Sequence, residues 1–293
     1  MKNPKLPLAP GRRPRAAARG QAEAPDRVGL EIEVAGVSHA YPGAGGQSVP
    51  VLNSVSLSIP AGQFISIVGP SGCGKTTLLH LCCGLEPMQS GRIAVGGQSH
   101  PAVGLPGTAY VPATPALLPW RTALLNVEVG LEMVIPSRTA RRARARAALE
   151  MVGLKEFESS HRAQLSQGMR QRVGLARAVA REPELYYMDE PFAALDAQTR
   201  LILQGELMHL LELRPATVLF VTHDLGEAVA LADRVIVMSA RPGRIVADYE
   251  IDLPRPRDPL ALQSDPGFDR VRAGLWEVLR DQIAASRAAA PGQ

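Results

Sequence analysis

Two early segments of the chain alternate apolar and polar residues, which is the period of a β-strand with one buried face. A glycine-rich turn separates the two segments. Their apolar positions are Ile32, Val34 and Val37 in the first segment and Val55, Leu57 and Ile59 in the second. The alternation on both sides of a turn predicts a pair of antiparallel strands whose other face meets solvent.

Four later segments are short apolar runs without alternation. Such runs are typical of strands buried on both faces, as in a parallel sheet covered by helices. They lie at residues 64–68, 185–188, 218–221 and 235–238. Between the first two runs, residues 123–180 read as a helical region. The sequence therefore predicts a parallel sheet with a helical insertion.

The helical region contains a run of basic residues. Its small residues Ala140, Ala143 and Ala147 recur at helical spacing among the charges, which favours an exposed helix face. The basic residues are Arg138, Arg141, Arg142, Arg144 and Arg146.

The end of the chain reads as a linker followed by a helix. Residues 253–257, with two prolines, predict an extended linker. Asp265 is placed to cap the next helix and Pro266 suits its first turn. Its apolar face is formed by Phe268, Val271, Leu275 and Leu279.

Composition narrows the class of protein. The 293 residues are 46% apolar and 20% charged, which is globular, and no apolar run approaches the ~18 residues that cross a bilayer. Cys73, Cys82 and Cys83 form an odd set without metal-ligand spacing, which fits a reducing cytosol.

The net charge of +4 is concentrated at the N-terminus. Residues 1–27 carry seven basic and two acidic side chains, so the remaining chain is close to −1. Because this segment is rich in Pro, Ala and Arg and shows no apolar periodicity, we expect residues 1–28 to form a disordered basic tail. Contact of the tail with anionic lipid or nucleic acid stays open.

The strongest motif follows the apolar run at 64–68 and precedes helical spacing of leucines. The residues that form it are Gly69, Pro70, Ser71, Gly72, Cys73, Gly74, Lys75, Thr76 and Thr77. This is the P-loop spacing, in which backbone amides surround phosphates, the lysine contacts the β- and γ-phosphates, and the Thr76 hydroxyl ligates Mg²⁺. We therefore expect this loop to bind a nucleotide.

A second apolar run ends in two adjacent acids. Asp189 and Glu190 project differently because side chains alternate along a strand. In combination with a P-loop, Asp189 is expected to hold Mg²⁺ through water, and Glu190 to polarise the attacking water as general base.

A third motif, residues 165–172, resembles the signature of ABC-type ATPases. It contains Ser166, Gln167 and Gly168, and Ser166 is also a good helix N-cap. The resemblance implies that ATP is held between the P-loop of one subunit and the signature of a second subunit.

Further residues match the family in order. Asp196 matches the D-loop at the dimer seam, His223 the switch histidine that contacts the γ-phosphate, and Tyr41 the aromatic that stacks on adenine. The resemblance covers about residues 30–260. It implies an α/β P-loop NTPase fold with a parallel-sheet core, an N-terminal antiparallel β-subdomain and an inserted helical subdomain at about 115–180. We expect the ATPase domain at 29–253, then a linker and an amphipathic helix at 254–293.

Finer features look like the ATP-binding subunits of nitrate, sulfonate and taurine importers. They include the segments at residues 116–120, 188–192, 241–244 and 253–257. The resemblance implies a peripheral ATPase, with ATP and Mg²⁺ as cofactors, on the cytoplasmic face of the inner membrane. Its partners are permease subunits, a second ATPase subunit as homodimer or heterodimer and, indirectly, an extracytoplasmic solute-binding protein. No nucleic-acid partner is implied.

Two positions depart from the family pattern. Ala113 stands where the family has a glutamine that touches Mg²⁺ and the attacking water, and Thr114 offers the nearest hydroxyl. Gln167 replaces a glycine and so excludes an easy positive φ. We predict that hydrolysis survives but is slowed.

Two other functions stay open at this point. One is a soluble ABC-type ATPase of DNA maintenance or translation, although the 75–166 interval leaves no room for the long coiled coils of the former. The other is a degenerate subunit that binds ATP as a regulator, or as the weak half of a heterodimer.

Overall fold

The computed structural model describes residues 29–99 and 104–289. The basic tail expected at residues 1–28 lies outside them. Within the described ranges, no helix combines the length and the apolar character that crossing a membrane requires.

Ten strands and eight α-helices are formed by the described residues. The strands are β1 (Ile32–Pro42), β2 (Ser48–Ile59), β3 (Phe64–Val68), β4 (Ser90–Val95), β5 (Gln98–Ser99), β6 (Thr108–Val111), β7 (Leu185–Asp189), β8 (Thr217–Val221), β9 (Arg234–Met238) and β10 (Ile245–Glu250). The helices are α1 (Lys75–Cys82), α2 (Ala123–Val129), α3 (Arg138–Met151), α4 (Gln167–Val179), α5 (Ala197–Leu213), α6 (Leu225–Leu231), α7 (Pro259–Leu262) and α8 (Pro266–Ala289).

The predicted antiparallel pair is confirmed as β1 and β2. Ile32 lies opposite Ile59 and Val34 opposite Leu57, so the apolar residues of both strands share one face. β4 and β5 extend this sheet in the order β2-β1-β4-β5. The alternation fixes the register because a slip by one residue would turn every apolar side chain towards solvent.

The four apolar runs form β3, β7, β8 and β9, the inner strands of a six-stranded sheet whose order is β10-β9-β3-β8-β7-β6. β3 pairs in parallel with β8 and β9, and β7 pairs in parallel with β6 and β8. Phe64 and Val68 enter one buried cluster and Ile65 and Ile67 enter the other. β3 is apolar except for the small buried Ser66, because both faces of the sheet are covered.

The helical region is three α-helices, α2, α3 and α4, which pack on one another. Ser137 and Ser166 cap α3 and α4 by accepting hydrogen bonds from Ala140 N and Met169 N. The prediction for Ser166 as an N-cap is confirmed.

Most of the basic residues of α3 are paired with acidic residues, so the helix face predicted to be solvated also makes ion pairs with neighbouring elements. Arg142, Arg144 and Arg146 form ion pairs with Glu128, Glu182 and Glu158. The buried side of α3 consists of Ala145, Ala148 and Leu149, whereas Ala140, Ala143 and Ala147 are exposed.

The C-terminal helix packs into the main core. Asp265 Oδ1 accepts from Gly267 N and Phe268 N, as the sequence predicts for a cap. Phe268, Leu275 and Leu279 are buried, and α8 packs against α6.

Residues 253–257, which precede α7, form neither helix nor strand and are anchored to the core. Arg257 is 6% exposed and donates to the carbonyl oxygens of Val229, Ala232, Ile251 and Leu253. Burial, together with nearby Arg255, lowers the pKa of Arg257 to about 10. The segment is therefore bonded to the core along its length.

Candidate active site

The loop after β3 turns back through two glycines. Gly72 and Gly74 have φ of 74° and 106°, and a Cβ on Gly74 would lie 2.7 Å from Leu52 Cδ2. Only glycine permits this backbone and this approach to β2. The loop leads directly into α1, whose N-terminal amides and dipole favour an anion.

Lys75 lies over its own loop. The side chain is 7% exposed, and its Nζ donates to Gly69 O at 2.9 Å and to Pro70 O at 3.1 Å. An ammonium has three donors, so one remains for a further acceptor such as a phosphate oxygen.

The Cys73 thiol faces the protein interior. The side chain is 1% exposed, and burial raises the pKa of its thiol even though Lys75 lowers it. A Cβ on Gly69 would lie 2.9 Å from Cys73 Sγ. Cys73 therefore offers a nucleotide its backbone rather than its side chain.

Two oxygen ligands meet at the carboxyl edge of the sheet. Thr76 Oγ1, in the first turn of α1, donates to Asp189 Oδ1 at 3.1 Å. Burial raises the pKa of Asp189, and the bond from Thr76 opposes that shift. A hydroxyl and a buried carboxylate at this separation fit Mg²⁺, which prefers oxygen ligands, and a cation would favour the charged carboxylate.

Glu190 adopts a left-handed backbone. Its φ is 45°, and its N–H donates to Val221 O of β8 at 2.9 Å. For a residue with a Cβ this conformation costs about 1–2 kcal/mol. Glu190 Oε2 lies 3.1 Å from His223 Nδ1, and the His223 side chain is 63% exposed. The conformation brings the carboxylate to the histidine that follows the neighbouring strand.

Tyr41 lies at the other end of the same site. Its hydroxyl donates to Glu86 Oε1 at 3.3 Å and lies 3.5 Å from Thr77 Oγ1. The ring packs edge-on against buried His39, with centroids 4.8 Å apart.

Several of these groups line one cavity of about 340 Å³, whereas Asp189 and His223 do not line it and contact its lining residues Thr76 and Glu190. It is lined by Tyr41, Val51, Ser71, Gly72, Gly74, Lys75, Thr76, Thr77, Glu190 and Arg241. Sequence reasoning missed Arg241 as a site residue, because nothing local signals that the turn after β9 returns to the phosphate loop.

The signature and D-loop residues do not line this cavity. Ser166, Gln167 and Asp196 are exposed, and Gly168 is half-buried, with Ala194 O and Leu195 Cδ2 3.4 Å from where its Cβ would be. Asp196 caps α5, and the hydrogen bonds it accepts from Thr199 lower the pKa of its carboxyl. The exposed residues are open to contact with a second chain.

The expectation that position 167 needs the positive φ of a glycine is wrong. Gln167 is the first residue of α4, and the described residues other than glycine with positive φ are Ser54, Glu182 and Glu190. A glutamine is unstrained there because the helical backbone needs no positive φ.

Ala113 follows β6 at the sheet edge where Asp189 ends β7 and Glu190 follows it. Val111 pairs with Met188 in the parallel ladder. Ala113 and Glu190, each two residues further along, therefore follow their strands at the same edge of the sheet. Ala113 is exposed, and buried Gln171 of α4 holds its neighbour by donating to Pro112 O at 3.2 Å. The loop is thereby tied to the signature helix, a link that the sequence did not reveal.

A partly buried charged network joins the D-loop to the segment around His223. Arg200 donates to Leu195 O at 3.1 Å and to Asp224 Oδ2 at 3.3 Å, and its Nε lies 3.6 Å from Glu227 Oε1. Thr222 Oγ1 donates to Glu227 Oε2 at 2.6 Å. Burial raises the pKa of Glu227 to about 7, although Thr222 and Arg200 lower it.

We predict that Glu227→Gln becomes more stable relative to the natural protein as pH rises from about 5 to 7. In that window the unfolded chain has already lost the Glu227 proton, so deprotonation penalises the folded state only. The gain should reach roughly 2–3 kcal/mol in urea unfolding at pH 8 compared with pH 5.

The matched control for this change is Glu206→Gln at an exposed position of α5. A stability difference between Glu227→Gln and the natural protein that does not vary with pH would contradict the buried-carboxyl account.

Residues 52–193 match the family model described as ABC transporter. The aliphatic sulfonates import ATP-binding protein of Rhodopseudomonas palustris is 50% identical over 234 residues, which cover 80% of this chain and 78% of that protein. The taurine import ATP-binding protein of Rhizobium johnstonii is 40% identical over 240 residues, covering 80% and 90%.

A solved structure shows the same fold. It is a dimeric ATP-binding cassette in a post-hydrolysis state bound to ADP and Pi, with a TM-score of 0.70 and 30% identity. The match covers 76% of this chain and 99% of that one. The chain belongs to the ATP-binding proteins of ABC transporters.

Proposed function

We propose that the chain is the ATP-hydrolysing subunit of an importer for a small anion or organic solute, such as nitrate, a sulfonate or taurine. The proposal is carried by the convergence of Lys75, Thr76, Asp189, Glu190 and His223 at one sheet edge. The relatives named for sulfonate and taurine import support the class of solute.

The phosphates occupy the loop between β3 and α1. Backbone N–H groups of the loop and the remaining donor of Lys75 bind them, and Tyr41 stacks on the adenine. Thr76 and Asp189 are the residues that would hold Mg²⁺. Bound there, the cation would neutralise charge on the phosphates.

Glu190 is the general base. Its carboxylate accepts a proton from the attacking water, and His223, 3.1 Å away, holds that carboxylate and contacts the γ-phosphate. Asp189 and Glu190 can divide these roles because Asp189 accepts from Thr76 whereas Glu190 lies beside His223.

A second ATPase subunit completes the site. Ser166, Gln167 and Gly168 begin α4 and lie outside the cavity, so in a head-to-tail dimer they meet the nucleotide of the other subunit. Asp196 lies at the seam. The dimeric solved cassette supports this arrangement, with an identical or a related chain as partner.

A membrane permease binds the helical region, on the cytoplasmic face of the inner membrane. Trp120 is 72% exposed and Met133 is 96% exposed, and the Arg121–Glu132 ion pair of 3.0 Å brings their segments together. Two large apolar side chains displayed together fit a protein partner. An extracytoplasmic solute-binding protein acts through that permease.

The Ala113 departure favours one alternative: a subunit that binds ATP as a regulator or as the weak half of a heterodimer. A methyl group neither ligates metal nor accepts a hydrogen bond. The other reacting groups are all in place, which favours hydrolysis.

We predict that Glu190→Gln lowers ATP turnover by at least about 100-fold, because the general base is lost while the shape is kept. Turnover is measured by phosphate release, and size-exclusion chromatography with ATP should show a trapped dimer. The control is Glu206→Gln, which should keep full turnover. Equal turnover in the two variants would support the regulator instead.

Ala113→Gln should raise turnover about 10²–10³-fold, which is the usual value of one positioned transition-state contact. Steady-state phosphate release is the measurement. Thr114→Gln is the matched control, because it places the same side chain one residue further along. An unchanged rate in Ala113→Gln would show that the absence of the glutamine does not slow hydrolysis.

Trp120→Ala should keep the ATPase rate of the isolated subunit and lose most of the stimulation by permease in reconstituted vesicles. The reason is that removing an aromatic anchor from an interface commonly costs 2 kcal/mol or more, about 30-fold in affinity. Trp276→Ala, which removes the other exposed tryptophan, is the control. Full stimulation of Trp120→Ala would place the permease elsewhere.

A further inference from the structure

We propose that Arg241 binds the nucleoside half of the bound nucleotide, opposite Tyr41. The inference rests on the proposed nucleotide site and adds to it a residue from outside its motifs. Arg241 lies in the turn between β9 and β10 and lines the same cavity as Lys75, Thr76 and Tyr41.

The turn that carries Arg241 is bonded to β2 beside the phosphate loop. Gly243 N donates to Val51 O at 2.7 Å, and Asn53 N donates to Gly243 O at 3.0 Å. A Cβ on Gly243 would lie 2.1 Å from Cys73 O, so the turn lies directly against the loop. These bonds fix the position of the turn relative to the cavity.

The Arg241 side chain is held at the Tyr41 end of the cavity. Its Nε donates to Pro50 O at 3.2 Å. Pro50 pairs with Ala40, and the adjacent Val49 pairs with Tyr41 across the β1–β2 ladder. Among the described residues Arg241 makes no other hydrogen bond or ion pair, so its two Nη groups keep their donors for a ligand.

The chemistry of a guanidinium suits this end of a nucleotide. Its plane stacks on an aromatic base, and its fixed donors reach ribose hydroxyls and the α-phosphate. The triphosphate is anionic, and Lys75 supplies a cation at the phosphate end. Arg241 adds a second positive charge at the base end, in a cavity whose acidic lining residue is Glu190.

If Arg241 contacts the nucleoside half, its loss should affect ATP and ADP alike. ATP and ADP share the base, the ribose and the α-phosphate, so loss of Arg241 should weaken both to the same extent. A residue at the γ-phosphate would weaken ATP far more than ADP.

The experiment measures the Kd of ATP and of ADP by calorimetry, with Mg²⁺, for the natural protein and Arg241→Gln. Glutamine keeps an amide donor for Pro50 O and removes the charge and the stacking plane. We expect both Kd values to rise about 3- to 30-fold. The loss should appear in KM for ATP and not in kcat.

Two further variants sharpen the result. Arg244→Gln makes the same change in the same turn, at an exposed residue that does not line the cavity, and should bind both nucleotides normally. Arg241→Lys keeps the charge but loses the planar fork, so a partial loss for both nucleotides is expected. This variant decides the matter if Arg241→Gln fails to fold in a thermal melt.

Unchanged affinities in the Arg241 variants, or a loss confined to ATP, would overturn the inference. The variant Lys75→Ala distinguishes a wrong role for Arg241 from a wrong nucleotide site. If Lys75→Ala loses ATP binding while Arg241→Gln does not, only the role of Arg241 is wrong. If Lys75→Ala binds ATP normally, the proposed nucleotide site is itself wrong.

Discussion

Parallel pairing of β3, β7 and β8 is the constraint on which the candidate site depends. Parallel strands end at the same edge of a sheet, so the loops after these three strands are neighbours whatever their distance in the chain. Those loops contain Lys75, Glu190 and His223. Because helices and a second sheet cover both faces, the strands are mostly apolar, and the charged groups of the site lie at the edge.

The same edge carries a partly buried charged network. Arg200 links the carbonyl of Leu195 to the carboxylates of Asp224 and Glu227, and so joins the segment before α5 to the segment before α6. These contacts hold the two segments together, and of the two carboxylates only Glu227 is buried. The D-loop and His223 are thus parts of one assembly.

The hydrophobic pattern predicted β1, β2, β3, β7, β8 and β9, because in these strands consecutive residues show either alternation or a continuous apolar run. The short strand β5, the edge strands β6 and β10 and the one-turn helix α7 carry too little local pattern to be predicted, and β4 begins with three exposed residues that break the alternation. The motif residues were found through their spacing. Arg241, Gln171, Arg200 and Arg257 were missed because each has a partner at least 24 residues away along the chain, which only the fold brings near.

The three free cysteines have a practical consequence for experiments. Cys73 and Cys82 are buried with raised thiol pKa, and burial raises the pKa of half-buried Cys83 to about 11. Thiol reagents attack the thiolate, which is scarce at neutral pH in all three. The natural chain is therefore close to a cysteine-free background, in which a single surface cysteine could carry a fluorescent or spin label without first mutating the phosphate loop.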